Sequence, residues 1–291
     1  MPVEYRKLGS SGLRVSVPIL GCMSFGSPEW VPWVLEEDKS LPILKKAYDL
    51  GITTWDTANI YSNGQSERTI AAAIKEYSIP RDELIIMTKC FYPVDKTSNK
   101  PVRGNIANNR HYVNQHDLSR TAIFNQVDDS LERLRMDYID MLQIHRYIGA
   151  SSMWCYEFAL LQHVAEKNGW TKFVSMQGQY NLLPLAAGDF ARSVTATSLR
   201  KEGMARNEEA AADGATIEII NRVEIVSMEK GWLMTDVALA WILGKVTSPI
   251  VGVNSAERLE QIVDANGKSL TLAEIKFLEE PYIPRPITDH Y

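Results

Sequence analysis

Four polar residues in the first half of this chain have the types and spacing of a proton-transfer site: Asp56, Tyr61, Lys89 and His145. Reducing a carbonyl requires a hydride donor on one face and a proton donor at the oxygen. A tyrosine hydroxyl is a poor acid near neutral pH unless its pKa is lowered. An ammonium beside it favours the phenolate, and a carboxylate can hold that ammonium in place. A neighbouring imidazole can hydrogen-bond the carbonyl oxygen and orient the substrate. Taken singly, each residue has an ordinary alternative: Tyr61 a rim aromatic, Lys89 a solvated lysine, His145 a structural histidine. Their joint placement is harder to ascribe to accident.

That placement comes from strands. Thr53–Asp56 reads as a strand ending in the carboxylate, with Tyr61 five residues further on. Leu84–Lys89 ends in the lysine and Asp140–His145 in the histidine. Helical patterns lie between them: Leu41, Leu44, Ala47 and Tyr48 before the first, Ser66–Tyr77 before the second, and a helix capped by Ser119 before the third. Strands alternating with helices argue for parallel βα units, and in a βα barrel the carboxyl ends of the strands form the floor of the active site.

Elsewhere the chain reads as a hairpin over residues 6–17, a first buried strand over 18–26, and helices over 152–167, 217–230 and 236–243. Further strands are expected at Lys172–Gln177 and Ser248–Val253, with Ser255 opening a helix. Loops fill 91–117 and 186–214, and a tail with one short helix runs over 270–291. The 291 residues, 45% hydrophobic, suit one barrel-sized domain. A net charge of −5 with no basic tract argues against nucleic acid or an anionic membrane as partner. Apolar runs are too short for a membrane span, and the start lacks the apolar core of a signal peptide. Cys22, Cys90 and Cys155 show no metal spacing, so no metal is expected; free thiols suit a cytoplasmic protein. No oligomeric state follows from these features.

The segment Asp56-Thr57-Ala58-Asn59-Ile60-Tyr61, continued by Gly64-Gln65-Ser66-Glu67, resembles the D-T-A-x-x-Y and G-x-S-E signature of aldo-keto reductases. Gly21–Gly26 resembles that family's first strand and Tyr138–Arg146 its fourth. The branch that looks most similar is that of the aryl-alcohol dehydrogenase-like and versiconal hemiacetal acetate reductase-like enzymes. The resemblance implies a (β/α)8 barrel and NADPH-dependent reduction of an aldehyde or ketone, with Tyr61 as the acid. It places Ser151, Ser152 and Gln177 at the cofactor carboxamide. It places Gly252 to Gln261, with Ser255 and Arg258, at the 2′-phosphate. A helix start and an arginine both suit phosphate. Trp30, Trp33, Phe91 and Tyr92 follow strand ends and could wall a pocket for an aromatic or bulky carbonyl or aryl alcohol. The alternative is a catalytically silent relative that binds nucleotide or a protein partner.

The chain departs from this pattern at two places. Only five residues separate His145 from Ser151, where the family has a helix and most of the fifth strand. A parallel crossover needs a dozen or more. A second shortfall lies at Leu182–Leu185, where a helix, the seventh strand and a stacking aromatic are expected. About six complete strands and a stump are therefore readable, not eight. If the cofactor assignment is right, Arg258→Ala weakens NADPH binding far more than NADH binding, because only NADPH carries the 2′-phosphate. Equal losses in a fluorescence titration of the two cofactors would make Arg258 an ordinary surface residue.

Overall fold

The computed structural model describes residues 3–100, 102, 108–145, 155–177 and 214–283. A hairpin comes first. Strand β1 (Glu4–Lys7) pairs antiparallel with β2 (Arg14–Val17), in the register Glu4↔Val17 and Lys7↔Arg14. Five parallel strands come next: β3 (Ile19–Gly21), β4 (Thr54–Asp56), β5 (Ile85–Cys90), β6 (Met141–Ile144) and β7 (Ile250–Gly252). Their order across the sheet is β6-β5-β4-β3-β7. This is an arc of successive neighbours with the last strand lying beside the first, as barrel closure requires.

Crossover helices join the arc. Helix α1 (Glu37–Asp49) links β3 to β4, α2 (Gln65–Glu76) links β4 to β5, and α3 (Arg120–Leu134) links β5 to β6. Helix α4 (Cys155–Lys167) comes after β6. Then come α5 (Gly214–Lys230), α6 (Met234–Leu243), α7 (Ala256–Ala265) and α8 (Leu272–Glu279). No described helix is long and apolar enough to cross a membrane.

The main core lies between the sheet and α1, α2 and α7, around Leu44, Trp55, Ile70, Ile86 and Leu259. A second cluster, with Ile219, Val226, Val237 and Leu278, joins α5, α6 and α8. The third cluster has a positional role. Leu8 and Val15 of the hairpin meet Ile19, Ile85, Met141 and Ile250, the first residues of β3, β5, β6 and β7. The hairpin therefore covers the amino ends of the strands, and the carboxyl ends remain for chemistry.

Two expectations need correction. Residues 172–177 form no strand. The backbone of Phe173 is satisfied instead by a side chain of α4: its N–H donates to Gln162 Oε1 (2.9 Å) and its carbonyl accepts from Gln162 Nε2 (2.8 Å). A parallel strand needs a neighbour, and the five-residue link after His145 cannot carry the chain to where a fifth strand would provide one. The described sheet thus has five parallel strands rather than six, and it is open. Its edge strand β6 shows the consequence: Leu142 and Ile144, on its outer face, are 43% and 36% exposed.

Helix α3 contributes Leu134 to the main core. Its Ile123 and Val127 are only partly covered, whereas Gln126, Ser130 and Arg133 are buried. The helix turns a polar face inward because that face supports the site. The chain junctions Tyr147–Ile148 and Leu183–Pro184 lie outside the described residues, as do Ser151, Ser152 and residues 186–213.

The open edge is testable. Inserting a helix-plus-strand segment between His145 and Ser151 should cover Leu142 and Ile144. Each is worth on the order of 1 kcal/mol for the area still exposed. The urea midpoint should rise. An unchanged midpoint would mean that this face of β6 needs no cover.

Candidate active site

Registration of the strands brings the four residues together. Gly21 is level with Asp56, Asp56 with Met87, and Lys89 with Gln143. Side chains two apart on a strand share a face, so Met87 and Lys89 point the same way. Lys89 leans back over β4. Its ammonium donates to Asp56 Oδ2 (2.6 Å), to the Thr57 carbonyl (2.8 Å) and to the Tyr61 hydroxyl (3.2 Å). These are all three of its N–H donors. Asp56 and Lys89 are nearly water-free, 2% and 5% exposed. Because Tyr61 Oη accepts from Lys89, its own proton is directed elsewhere.

Tyr61 sits on a short 3₁₀ turn after β4. Ser62 and Asn63, the next two residues, have φ of 48° and 52°, the left-handed region that costs most residues energy. Both are pinned. Ser62 Oγ accepts from the Ser27 N–H (3.2 Å). Asn63 exchanges two hydrogen bonds with the Asp95 backbone (2.9 and 3.0 Å). Gly26 makes this possible: a Cβ there would lie 2.4 Å from Ser62 Cβ.

Three further clamps hold the floor and the loop beside it. Ser66 donates to the Cys22 carbonyl (2.8 Å) and accepts from Thr57 (2.9 Å), fastening the start of α2 to β3 and β4. Glu67 accepts from Thr88 Oγ1 (2.7 Å) and pairs with Arg133 Nε (2.6 Å), and both charged groups are buried. Gln126 accepts from Asn59 Nδ2 (3.1 Å) and the Phe91 N–H (2.7 Å), fixing the loop after β5.

His145 stands just after β6 and meets the Tyr61 ring edge-on, with centroids 5.6 Å apart. Tyr92 meets His145 in the same way at 5.3 Å, and Phe91 meets Tyr92 at 5.1 Å. Trp30 lies 6.3 Å from Tyr61 at a tilt of 51°. An unbroken run of rings, Trp30-Tyr61-His145-Tyr92-Phe91, lines the carboxyl ends of the strands. Trp33 is half-buried in the same loop as Trp30.

Electrostatics corrects one expectation. Burial pushes the Tyr61 hydroxyl above the ordinary tyrosine range; Lys89 pulls it down, and Asp56 adds to the rise. The net direction is up, so the ammonium offsets desolvation without overcoming it. For Lys89, burial pulls the pKa down, but the Asp56 carboxylate and Tyr61 outweigh it and the result is raised. At neutral pH the pair is therefore a protonated phenol beside a full ammonium. The Cys22 thiol lies close enough to feel both charges, and burial holds it protonated.

The residues expected around a cofactor divide. Gly252 ends β7 beside Gly21. Ser255 caps α7, its Oγ accepting from the Arg258 N–H (3.4 Å), and Arg258 and Gln261 are exposed on the first turns of that helix. Gln177 is exposed at the end of the irregular stretch and lies in no strand. Ser151 and Ser152 lie outside the described residues.

One residue at the centre of the site escaped the sequence reading. Gln143 Nε2 donates to Asp56 Oδ1 (2.8 Å), and the side chain is buried. The available signal was its position two before His145, which puts both on the inward face of β6.

Comparison with known proteins accounts for this geometry. The model of the aldo/keto reductase family matches residues 19–155 and 146–282, two matches that overlap across the short link after His145. An aldo-keto reductase of Fusarium vanettenii is 44% identical over 345 aligned positions, covering 99% of this chain and 93% of the relative. The versiconal hemiacetal acetate reductase of Aspergillus parasiticus is 41% identical over 342 positions, covering 98% of each. A Schizosaccharomyces pombe protein whose name carries the aryl-alcohol dehydrogenase description is 39% identical over 343 positions, covering 98% of this chain and 97% of the relative. An alignment of 345 positions that takes in 99% of a 291-residue chain leaves more than fifty positions filled by the relative alone. The shortfall is therefore internal, and with both ends of the arc matched, the chain belongs to the aldo/keto reductase family of oxidoreductases.

Proposed function

We propose that this protein reduces an aromatic or bulky aldehyde or ketone to an alcohol with NADPH, and that Tyr61 is the proton donor. The observation that carries the reading is the Lys89 ammonium, held among Asp56, Thr57 and Tyr61 with no donor to spare. Tyr61 supplies its proton to the carbonyl oxygen. The phenolate that remains is stabilised by the Lys89 N–H already pointing at it, and Asp56 keeps that ammonium charged in a dry site. His145, edge-on to Tyr61, would hydrogen-bond the same oxygen. Trp30, Tyr92 and Phe91 favour a flat or bulky apolar substrate against the ring wall.

NADPH would supply the hydride. The turn from β7 into α7 suits its 2′-phosphate: a helix start beside the exposed Arg258 guanidinium offers backbone N–H groups and positive charge. The carboxamide end is less well served, because Gln177 lies on an irregular stretch and not at a strand end. That observation favours a second reading, a nucleotide-binding relative without turnover. NADPH consumption with a panel of aryl aldehydes separates the two.

Tyr61→Phe should cut turnover by about 10²–10⁴ with little change in NADPH affinity. Turnover retained in that variant would remove Tyr61 from its role. The raised Tyr61 pKa sets the pH dependence. The acid form persists through neutral pH, so the reduction rate should stay level and fall only above about pH 10. A break near the ordinary histidine value of about 6.5 would point to His145 as the donor.

A further inference from the structure

We infer that Gln143 is a positioning residue for the acid site: its side-chain amide fixes the Asp56 carboxylate so that the other oxygen holds Lys89 against Tyr61. The inference rests on the reading of Tyr61 as proton donor and extends it by one link.

The geometry has four parts. Gln143 is level with Lys89 on the adjacent strand, so the two side chains reach Asp56 from neighbouring positions. They take different oxygens, Gln143 Nε2 on Oδ1 at 2.8 Å and Lys89 Nζ on Oδ2 at 2.6 Å. An ionised carboxylate only accepts, so the amide must present its NH₂ group there. Finally, Gln143 is the one buried residue of β6, whose other three are partly or largely exposed. An edge strand with little core of its own spends its inward position on this bond.

A carboxylate with one oxygen fixed can still turn about its Cβ–Cγ bond. With both oxygens occupied by different strands it cannot. A leucine or methionine here would fill similar space but leave Oδ1 buried without a donor. The carboxylate would then swing, and its hold on the ammonium would loosen.

The test uses the full chain in two measurements. The first needs no turnover: a ¹³Cε lysine NMR titration of wild type and Gln143→Met, with circular dichroism to confirm the fold. The Lys89 pKa should fall in the variant as the Asp56 contact loosens and burial takes over. The second is kinetic. Gln143→Met should lose about ten- to a hundredfold in kcat, the range for one charge-assisted hydrogen bond, with the Kd for NADPH unchanged. Gln143→Glu supplies the discriminating signature. Protonated, the new carboxyl can donate to Asp56 and restore activity; as pH rises and that proton leaves, two carboxylates face each other and activity falls below that of wild type. An unmoved Lys89 titration in a folded Gln143→Met overturns the inference whether or not the enzyme turns over. Absence of NADPH-dependent reduction in wild type would instead sink the functional reading, leaving the titration to decide the role of Gln143. Where Gln143→Met does not fold, Gln143→Glu carries both measurements, and a flat ratio to wild type across pH overturns the inference.

Discussion

An ammonium and a carboxylate buried together at the end of a sheet constrain everything around them. Taking either group out of water costs several kcal/mol, and mutual attraction offsets this only when every remaining donor and acceptor is also met. Lys89 meets the condition with three acceptors and Asp56 with donors on both oxygens. The partners come from β4, from the turn after it, from β5 and from β6. No single element could supply them. The strand register, the tight turn through Ser62 and Asn63 and the absence of a side chain at Gly26 all serve to bring those groups within hydrogen-bond reach.

A second buried pair, Glu67 with Arg133, performs the corresponding task one layer out. It explains why α3 presents polar residues to the interior. Glu67 is bonded to Thr88, the neighbour of Lys89, and Arg133 is steadied by Ser130 (3.0 Å). Gln126 on the same face holds the loop that carries Phe91 and Tyr92. The site is thus supported by a polar layer between helices and sheet, in a region where sequence patterning favours an apolar one.

That layer marks the limit of what the sequence made legible. Asp56, Tyr61, Lys89 and His145 stood out because strand ends are readable from hydrophobic runs, and because their types combine into one chemistry. Ser119 and Ser255 were readable as caps and both cap. Gln143, Gln126 and Arg133 did not stand out, since a polar residue on a half-apolar element looks solvated until its neighbours in space are known. The stretch 172–177 failed for the opposite reason. Its β-branched and aromatic residues fit a strand, but pairing is a property of two segments, and no described segment lies where its partner should be. The rise in the Tyr61 pKa was likewise hidden, because a sequence shows the charge beside a phenol and not the depth of its burial.

The position of the shortfall matters more than its size. The tetrad lies on β4, β5, β6 and their loops, an unbroken run of neighbours whose crossovers α2 and α3 are intact. The turn proposed for phosphate comes directly after β7, which pairs with β3 in the register Gly21↔Gly252. Both stand on the same continuous arc and keep their relation to one another. The short link after His145 follows β6 in the chain and leads to Ser151 and Ser152, the pair proposed for the cofactor carboxamide. The residues proposed for acid chemistry and for phosphate binding therefore stand on backbone that the described fold preserves. At that side the edge of the sheet carries the exposed Leu142 and Ile144, and among the described residues no strand pairs with β6 beyond β5.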